Sequence, residues 1–246
     1  AGQLWYNSGA AKFKLGTSSA GAWSAGGALN TARGGIAVGG AGTATTALCI
    51  SGDSPSKSEV EEYDGTSWTE KTDVTTARAN AGAAGTSTAA LLIAGNPTSS
   101  LIVEQWNGTG WTEVGDVTNG RVECAGTGTV TAALVMSGNS SPQALVEVYN
   151  GTTWTAAGAL TTTAHKTCTS AGTSTAALAV GGYIGGPYDA GVLVEEYNGT
   201  SWTANPAMNT GKTSAGGAGT STSAMAFGGG PPSLPLLTES YNGTSW

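Results

Sequence analysis

Charged residues are scarce in this sequence, and acidic ones outnumber basic ones. Asp, Glu, Lys and Arg make up 10% of the 246 residues, and the formal net charge is −7. A general nucleic-acid-binding protein needs clustered Lys and Arg to neutralise phosphates, so no nucleic-acid partner is expected. No apolar run approaches the length that spans a bilayer, so membrane insertion is not expected either.

Residues that commonly hold metals are also few. The chain has one histidine, His165, and three cysteines, Cys49, Cys124 and Cys168, which show no Cys-x-x-Cys spacing. The cysteines could form a metal or redox site, but free cysteine is often a small buried hydrophobe, and that second interpretation is favoured. No metal or cofactor is therefore predicted.

The sequence is rich in small residues and in regularly spaced aromatic residues. Glycine accounts for 40 residues, and eight Trp and seven Tyr recur along the chain, whereas a disordered chain is poor in aromatics. An aromatic–Asx–Gly–Thr–x–Trp phrase occurs at 63–68, 106–111, 149–154, 197–202 and 241–246. With Trp23 as the first marker, successive marker tryptophans lie 43 to 48 residues apart. A fixed period of this length indicates a repeat architecture.

Each period predicts four short antiparallel strands. After Trp68 come a polar stretch over 69–74, Thr76-Ala77-Arg78, a small-residue strand over 79–83, a turn at Gly85, an apolar strand over 89–94 and a strand over 102–106. An Asn-Gly or Asp-Gly turn between strand-like runs is the strongest short hairpin signal. Four-stranded units repeated around an axis are the blades of a β-propeller. The sequence therefore predicts an all-β, five-bladed β-propeller of four-stranded antiparallel blades.

The two ends of the repeat region predict how the ring closes. The last unit stops at Trp246, where its outer strand would begin, while residues 23–30 supply a spare copy of that strand. We expect this N-terminal segment to complete the last blade, which would remove an open sheet edge. Trp23 and Trp246 duplicate one position, and the sequence does not decide which of them fills it.

The order of these features resembles the kelch repeat. Thr-Ala-Arg is followed by a small-residue strand, an apolar strand that ends in Gly-Gly at 181–182 and 228–229, a Val-Glu-Glu-Tyr segment and the marker Trp. The resemblance covers residues 23–246 and implies one propeller domain over that range. Only some units hold the double glycine, and five blades is fewer than most kelch propellers have.

Residues 1–22 are expected to form an N-terminal β segment that packs on the propeller. Residues 3–7 (Gln-Leu-Trp-Tyr-Asn) and 13–15 (Phe-Lys-Leu), followed by Trp23, are similar to short β modules of bacteriophage tail-fibre and virion proteins. Propellers rich in Ala, Gly and Thr with Tyr-Asn-Gly-Thr-Ser-Trp phrases also resemble those of phages. The resemblance implies a viral protein located in the virion or outside the cell.

One basic and one acidic residue recur in each unit. The basic residues stand ten or eleven positions after a marker Trp and are Arg33, Arg78, Arg121, His165 and Lys212. The acidic residues stand two positions before the aromatic that opens each phrase and are Glu61, Glu104, Glu147, Glu195 and Glu239. The basic positions would open the innermost strands, so their side chains are expected to surround the central axis. Structural pairing with the glutamates is favoured; the alternative is an anion site, for example for an acidic sugar.

Loops of unequal length are expected on the same face as these basic residues. In an antiparallel blade, the loops before the first strand and after the second strand lie on one side. The segments after the second strand differ most between units: 52–58, 95–101, 138–144, 181–191 and 228–235. Function usually lies on variable loops over a rigid scaffold, so a ligand is expected there, with Tyr183 and Tyr188 as candidate contacts. Neutral drift of surface loops is the alternative.

The marker tryptophans allow two interpretations. Trp68, Trp111, Trp154 and Trp202 could act as platforms for sugars, or they could pack between neighbouring blades. One Trp per blade at a constant position favours packing, and the loss of a buried one would cost about 3–5 kcal/mol.

Two enzyme families share features with the chain but do not fit it well. The three arginines and the turn at Asp64 resemble the sialidase family, whose arginine triad holds a carboxylate. In that family's turn a residue stands between Asp and Gly, whereas in this chain Gly65 follows Asp64 directly. In addition, no Tyr/Glu nucleophile pair can be singled out. Galactose oxidase, another kelch-like propeller, needs several His and Tyr copper ligands, which one His cannot supply.

We therefore expect a non-enzymatic binding or structural protein. The favoured role is a bacteriophage virion or tail-fibre component that serves in host attachment. Its expected partners are carbohydrates, namely host-surface glycans, or other virion proteins. A free extracellular lectin-like module is the alternative, and a sialidase-like glycoside hydrolase is less favoured.

Overall fold

The computed structural model of the chain describes residues 3–7, 12–16, 26–37, 41–53, 55–97, 100–139, 143–162, 166–183, 191–230 and 237–246. All secondary structure in these ranges is β, and five antiparallel sheets of three or four strands stand in a propeller ring. The predicted all-β, five-bladed propeller is confirmed.

The strands follow one another in chain order within each blade. A separate hairpin precedes the blades and contains β1 (Gln3–Asn7) and β2 (Lys12–Gly16). Blade 1 contains β3 (Ala47–Gly52), β4 (Lys57–Tyr63) and β5 (Trp68–Lys71). Blade 2 contains β6 (Gly82–Thr86), β7 (Ala89–Ile93), β8 (Val103–Trp106) and β9 (Trp111–Val114). Blade 3 contains β10 (Ala125–Thr129), β11 (Ala132–Met136), β12 (Val146–Tyr149) and β13 (Trp154–Ala156). Blade 4 contains β14 (Thr169–Gly172), β15 (Ala177–Val180), β16 (Val194–Tyr197) and β17 (Trp202–Asn205). Blade 5 contains β18 (Gly216–Thr220), β19 (Ser223–Phe227) and β20 (Thr238–Tyr241).

In blades 2 to 5 the first strand lies nearest the axis. In blade 1, β3 and β4 correspond in register to the second and third strands of the other blades. Contacts run from β6 to β10, from β10 to β14 and from β14 to β18. In blade 1 the segment before β3 takes the same inner position, since the Leu48 N–H donates to the Ala41 carbonyl over 2.9 Å.

The inner strand begins later than the sequence suggests. A strand over 79–83 with a turn at Gly85 is expected, whereas β6 spans Gly82–Thr86 and its turn lies at residues 87–88. Asn80 adopts the left-handed backbone conformation with φ of 53°, which interrupts an extended strand. The expected bounds are wrong because a run of Ala and Gly carries no apolar alternation to set the register.

Side chains become larger from the axis to the rim. Inner strands tolerate only small residues, because a Cβ on Gly126 would lie 2.6 Å from the Ala83 carbonyl oxygen of the neighbouring blade. Second strands carry aliphatic residues such as Leu91 and Ile93, and the outer hairpins carry aromatic pairs. This gradient matches the wedge-shaped gap between radial sheets, which widens outward.

The core is a set of apolar layers between blades. In β7, Leu91 and Ile93 pack with residues of blade 3, whereas Ala90 and Leu92 pack with blade 1. All four residues are fully buried, so both faces of the sheet are apolar. Further layers of the same kind lie between blades 3 and 4 and between blades 4 and 5.

The closing position of the last blade is partly described. The Trp246 ring lies against Tyr241 with centroids 5.2 Å apart, and the Trp202 ring lies against Tyr197 with centroids 5.1 Å apart. Trp246 therefore occupies the marker position of blade 5. Trp23 lies outside the described residues, so completion of this blade by residues 23–30 stays a prediction, as does the packing of residues 1–22 on the propeller.

Candidate functional site

The segments that enter each blade and the loops after each second strand lie on one side of the ring. The Gly95 N–H, after β7, donates to the Arg121 carbonyl over 2.9 Å, and the Asn96 N–H donates to the Ala79 carbonyl over 2.8 Å. Arg121 and Ala79 both belong to connectors, the segments between the outer strand of one blade and the inner strand of the next. We call this side the loop face.

A glutamate, buried in blades 1 to 4 and half-buried in blade 5, fastens each connector to the blade that it enters. In blade 2, the two oxygens of Glu104 accept the N–H groups of Thr75 and Thr76 at 2.7 and 3.3 Å, the Thr75 hydroxyl at 2.7 Å and Arg78 Nη2 at 2.6 Å. Thr75, Thr76 and Arg78 lie on the connector, and Glu104 lies on β8. We call this arrangement the glutamate clamp.

The glutamate clamp recurs around the ring. The glutamates of the other four blades each accept two backbone N–H groups: Glu61 from Asn30 and Thr31, Glu147 from Thr118 and Asn119, Glu195 from Thr161 and Thr162, and Glu239 from Asn209 and Thr210. The first connector residue in each case is a Thr or Asn seven positions after the marker Trp. Sequence reasoning missed these residues, although that constant spacing is a usable signal.

Three arginines complete their clamps with ion pairs. Arg33 Nη2 lies 2.8 Å from Glu61 Oε1, Arg78 forms the pair described above, and Arg121 Nη2 contacts Glu147 Oε1. The arginine side chains are 0% exposed, and the glutamates are 2% exposed or less. Each Nη1 also donates to a backbone carbonyl at the start of the third strand, as Arg78 does to Ile102 over 2.6 Å. Burial lowers the pKa of Arg78, and Glu104 opposes that shift.

This geometry differs from the expectation that the basic side chains surround the axis. Arg33, Arg78 and Arg121 turn into their own blades because the nearest carboxylate lies on the third strand. Their guanidinium groups are buried and ion-paired with glutamates, which is the structural pairing that the sequence favours. The alternative of an anion site at these positions stays a prediction.

Lys212 and His165 hold the two remaining basic positions. Lys212 is 2% exposed, and its Nζ donates to the Leu237 carbonyl over 2.7 Å. Burial lowers the pKa of Lys212, and the Glu239 carboxylate opposes that shift. His165 lies outside the described residues.

A belt of backbone hydrogen bonds joins the connectors near the axis. Each belt residue stands two positions after the basic residue and has φ between 51° and 59°: Gly35, Asn80, Glu123, Thr167 and Ser214. The N–H of each member donates to the carbonyl of the member before it, at 2.7, 2.7, 3.2 and 3.0 Å in chain order. Four non-glycine residues in this conformation are locally strained, which the bonds between blades offset.

Polar side chains surround the belt on the loop face. A Cβ on Gly35 would lie 2.7 Å from Asp53 Oδ2 and 2.9 Å from Asn80 Oδ1, so these two oxygens flank one point. Tyr183 is half-buried at the base of the longest loop, and its N–H donates to the Lys166 carbonyl over 2.9 Å. Tyr188 lies outside the described residues. Carboxylate, amide and phenol groups of this kind can hydrogen-bond a polyhydroxylated ligand.

The opposite side of the ring, the turn face, is nearly uniform. In its outer turns an Asx side chain accepts the N–H groups two and three residues ahead, as Asn107 does from Thr109 and Gly110 at 3.0 Å each. Gly108 has φ of 94°, which favours glycine. The same bonds occur at Asp64, Asn150, Asn198 and Asn242. The Thr66 and Ser67 N–H groups lower the pKa of Asp64.

The marker tryptophans lie in the outer part of the layers between blades. Trp111, Trp154 and Trp202 each pack, with the aromatic that opens their phrase, against the preceding blade. They are 7%, 4% and 3% exposed, so they offer little area to a sugar. Trp68 is half-buried, and its Nε1 donates to the Gly27 carbonyl over 3.0 Å.

The three cysteines are separate, buried thiols. Burial raises the pKa of Cys124 to about 11 and that of Cys168 to about 12. Burial also raises the pKa of Cys49, and Arg33 opposes that shift. Within the described ranges, no group of three His, Cys, Asp or Glu side chains is arranged to hold a metal ion.

No protein-family model matches the sequence, and no curated protein matches it. In the part of the chain that the structure describes, no helix is long and apolar enough to cross a membrane.

Proposed function

We propose that the chain is a non-enzymatic binding propeller that presents a ligand site on its loop face. The contrast between the two faces carries this proposal. The turn face repeats one hydrogen-bonded turn in every blade, whereas the loops between second and third strands run from 53–56 in blade 1 to 181–193 in blade 4. A rigid ring with one varied face is how binding proteins commonly place recognition residues.

The chemistry of the loop face favours hydroxyl-rich ligands. The arginines are ion-paired inside the blades. Half-buried polar side chains near the belt include Asp53, Asn80, Asn96, Glu123 and Lys166. Such groups, together with the half-buried Tyr183 at the base of the longest loop, are suited to sugars. We therefore propose host-surface glycans as the ligand and kelch-like, phage-type propellers as the family resemblance, with a virion or tail-fibre component as the role.

A glycan array with the isolated chain tests the ligand class. Saturable binding to defined glycans is expected, and Tyr183→Ala or Asn96→Ala should weaken it at least about tenfold, or about 1.4 kcal/mol. Thr152→Ala on the turn face is the matched control and should bind as the wild type does. Absence of binding to every glycan, or an equal effect of Thr152→Ala, would overturn the proposed site.

Mass spectrometry of purified phage particles tests the proposed location. Peptides of the chain in particles support a virion component. Glycan binding by a secreted protein that is absent from particles favours the free lectin-like module instead. A sialidase-like enzyme would release sugar from an acidic glycan. The glycan array would detect this release as loss of the immobilised ligand.

A further inference from the structure

The sequence contains five Asn-Gly pairs, and they stand in two different structural settings. The fifth-strand-free connector that enters blade 3 carries one of them, Asn119-Gly120. The other four belong to the outer turns of the turn face and begin at Asn107, Asn150, Asn198 and Asn242. The asparagine is exposed at all five positions, so access to water does not distinguish them.

Deamidation is the reaction to which an Asn-Gly pair is prone. The glycine backbone nitrogen, after it loses its proton to hydroxide, attacks Cγ of the asparagine, the bond from Cγ to Nδ2 breaks, and ammonia leaves. Water then opens the cyclic imide at either carbonyl, which yields Asp or isoaspartate. Glycine favours the attack because it has no Cβ to hinder the approach. The net reaction consumes water and releases ammonia, so it needs no further reactant.

In the four outer turns, hydrogen bonds hold the side chain that would react. Asn107 Oδ1 accepts the N–H groups of Thr109 and Gly110 at 3.0 Å each and the Thr109 hydroxyl at 2.8 Å. The other three asparagines accept the same pair of N–H groups at 2.9–3.0 Å. The side chain must turn out of both bonds to bring Cγ onto the glycine nitrogen, so the turn opposes the reaction.

The Asn119 side chain is held differently. Its Nδ2 donates to the Thr118 hydroxyl oxygen over 2.9 Å, whereas its Oδ1 accepts no hydrogen bond from the residues that the structure describes. The bonds to its backbone are long: the N–H donates to Glu147 Oε1, and the carbonyl accepts a bond from Arg121 Nε, both over 3.2 Å. Asn119 Cγ is therefore free of the contacts that hold the four turn asparagines.

We propose that Asn119 is a deamidation site of the folded chain and that the four turn asparagines are protected. The two N–H bonds that each turn must break should slow the reaction there by at least about tenfold relative to Asn119. Blade 3 differs from the other blades at this place, because the equivalent residue of every other connector is a threonine, which has no amide to lose: Thr31, Thr76, Thr162 and Thr210.

The reaction would loosen the glutamate clamp of blade 3. The Thr118 hydroxyl donates to Glu147 Oε2 over 2.8 Å and accepts from Asn119 Nδ2. A carboxylate at position 119 cannot make that donation, and it adds a negative charge close to Glu147. Isoaspartate also inserts a methylene between the N–H that Glu147 accepts and the carbonyl that Arg121 contacts. Deamidation therefore weakens the attachment of this connector on the loop face.

Peptide mapping by mass spectrometry after incubation at mildly alkaline pH tests the proposal. The folded wild type should convert Asn119 to Asp and isoaspartate at least about tenfold faster than any turn asparagine. The same chain unfolded in urea should convert all five asparagines at similar rates, because the fold and not the dipeptide makes the difference. An Asn119 that reacts no faster than the turn asparagines in the folded chain would overturn the proposal.

Two variants assign the reaction to this pair. Gly120→Ala keeps Asn119 but hinders the attack, and alanine already stands at the equivalent place in blades 1 and 2, at Ala32 and Ala77. Conversion of Asn119 should slow in this variant, while the rate at Asn107 stays the same; an unchanged rate at Asn119 contradicts the assignment.

Asn119→Thr gives the reference for the effect on the clamp, since it has the residue of the other connectors. Anion exchange separates the deamidated wild type by its added negative charge. In urea denaturation this fraction should unfold at a lower urea concentration than Asn119→Thr that was incubated in the same way. Equal midpoints would show that deamidation leaves the clamp intact and would refute that part of the proposal.

Discussion

Arg78 and Glu104 face each other inside blade 2, with Nη2 and Oε1 2.6 Å apart and both side chains 0% exposed. The same carboxylate accepts hydrogen bonds from Thr75 and Thr76. It therefore fastens the chain that arrives from blade 1 to the third strand of blade 2. Charge-assisted bonds of this kind are strong when every lone pair is used.

Glu104→Gln should destabilise the protein by about 3–5 kcal/mol, because it leaves the buried Arg78 without its counter-charge and sets an amide NH₂ against N–H donors. The free energy of unfolding from urea denaturation measures this. Glu62→Gln is the control: Glu62 Oε2 lies 2.7 Å from Lys71 Nζ in a surface pair with side chains 27% and 34% exposed, and its loss should cost less than about 1 kcal/mol. Similar costs for the two variants would contradict a structural role for the glutamate clamp.

Gly126→Ala tests how narrow the centre of the ring is. The added Cβ would lie 2.6 Å from the Ala83 carbonyl oxygen and 3.0 Å from the Ala83 nitrogen, so inner strands must move apart at a cost of about 1–3 kcal/mol. Gly110→Ala meets no atom within 4 Å and should change the stability by less than about 0.5 kcal/mol. Thermal unfolding compares the two, and an unaffected Gly126→Ala would show that the inner strands are loosely packed.

Lys212→Arg should stabilise blade 5 by about 1 kcal/mol. A guanidinium can bond both the Leu237 carbonyl and the Glu239 carboxylate, as the arginines do in their own blades, whereas the ammonium donates to Leu237. Urea denaturation near neutral pH measures the gain.

The gain from Lys212→Arg should shrink as the pH rises. Burial lowers the pKa of Lys212, so between that value and the unfolded value of about 10.4 the unfolded state binds more protons and stability rises with pH. Arginine stays protonated over this range and contributes no such rise. A stability difference that stays constant up to that pH would contradict the buried ammonium.

The thiols should be unreactive in the native protein. Thiolate is the reactive form, and burial raises the pKa of Cys124 to about 11 and of Cys168 to about 12. A chromogenic disulfide reagent at neutral pH should therefore label neither until denaturant is added, after which all three cysteines react. Rapid labelling of Cys124 or Cys168 in the folded chain would indicate an open interior.

The repeat made the architecture predictable, but not the direction of the basic side chains. A constant Trp spacing and Asx-Gly turns fix the number and order of blades. The path of Arg78 depends on the left-handed residue Asn80 and on a carboxylate 26 residues away, and neither appears in a local pattern. The sequence pairs one base with one Glu, yet it leaves open whether the base points to the axis or into the blade.

Met225 in β19 is 42% exposed, which the sequence does not predict. The apolar pattern of β19 resembles that of β15, and burial depends on which sheet lies beside it. The partners of Tyr183 and of the clamp threonines were likewise not predictable, because a residue's partner in a propeller can lie in another strand or blade.

A double-mutant cycle on Arg121 and Glu147 tests the central claim, that the recurring base–acid pairs hold the blades together rather than bind a ligand. The free energy of unfolding is measured for Arg121→Met, Glu147→Leu and the double variant. A coupling energy of about 1–3 kcal/mol is predicted, because each single change leaves the other buried charge unpaired. Two single variants with wild-type stability and a coupling within about 0.3 kcal/mol of zero would contradict it.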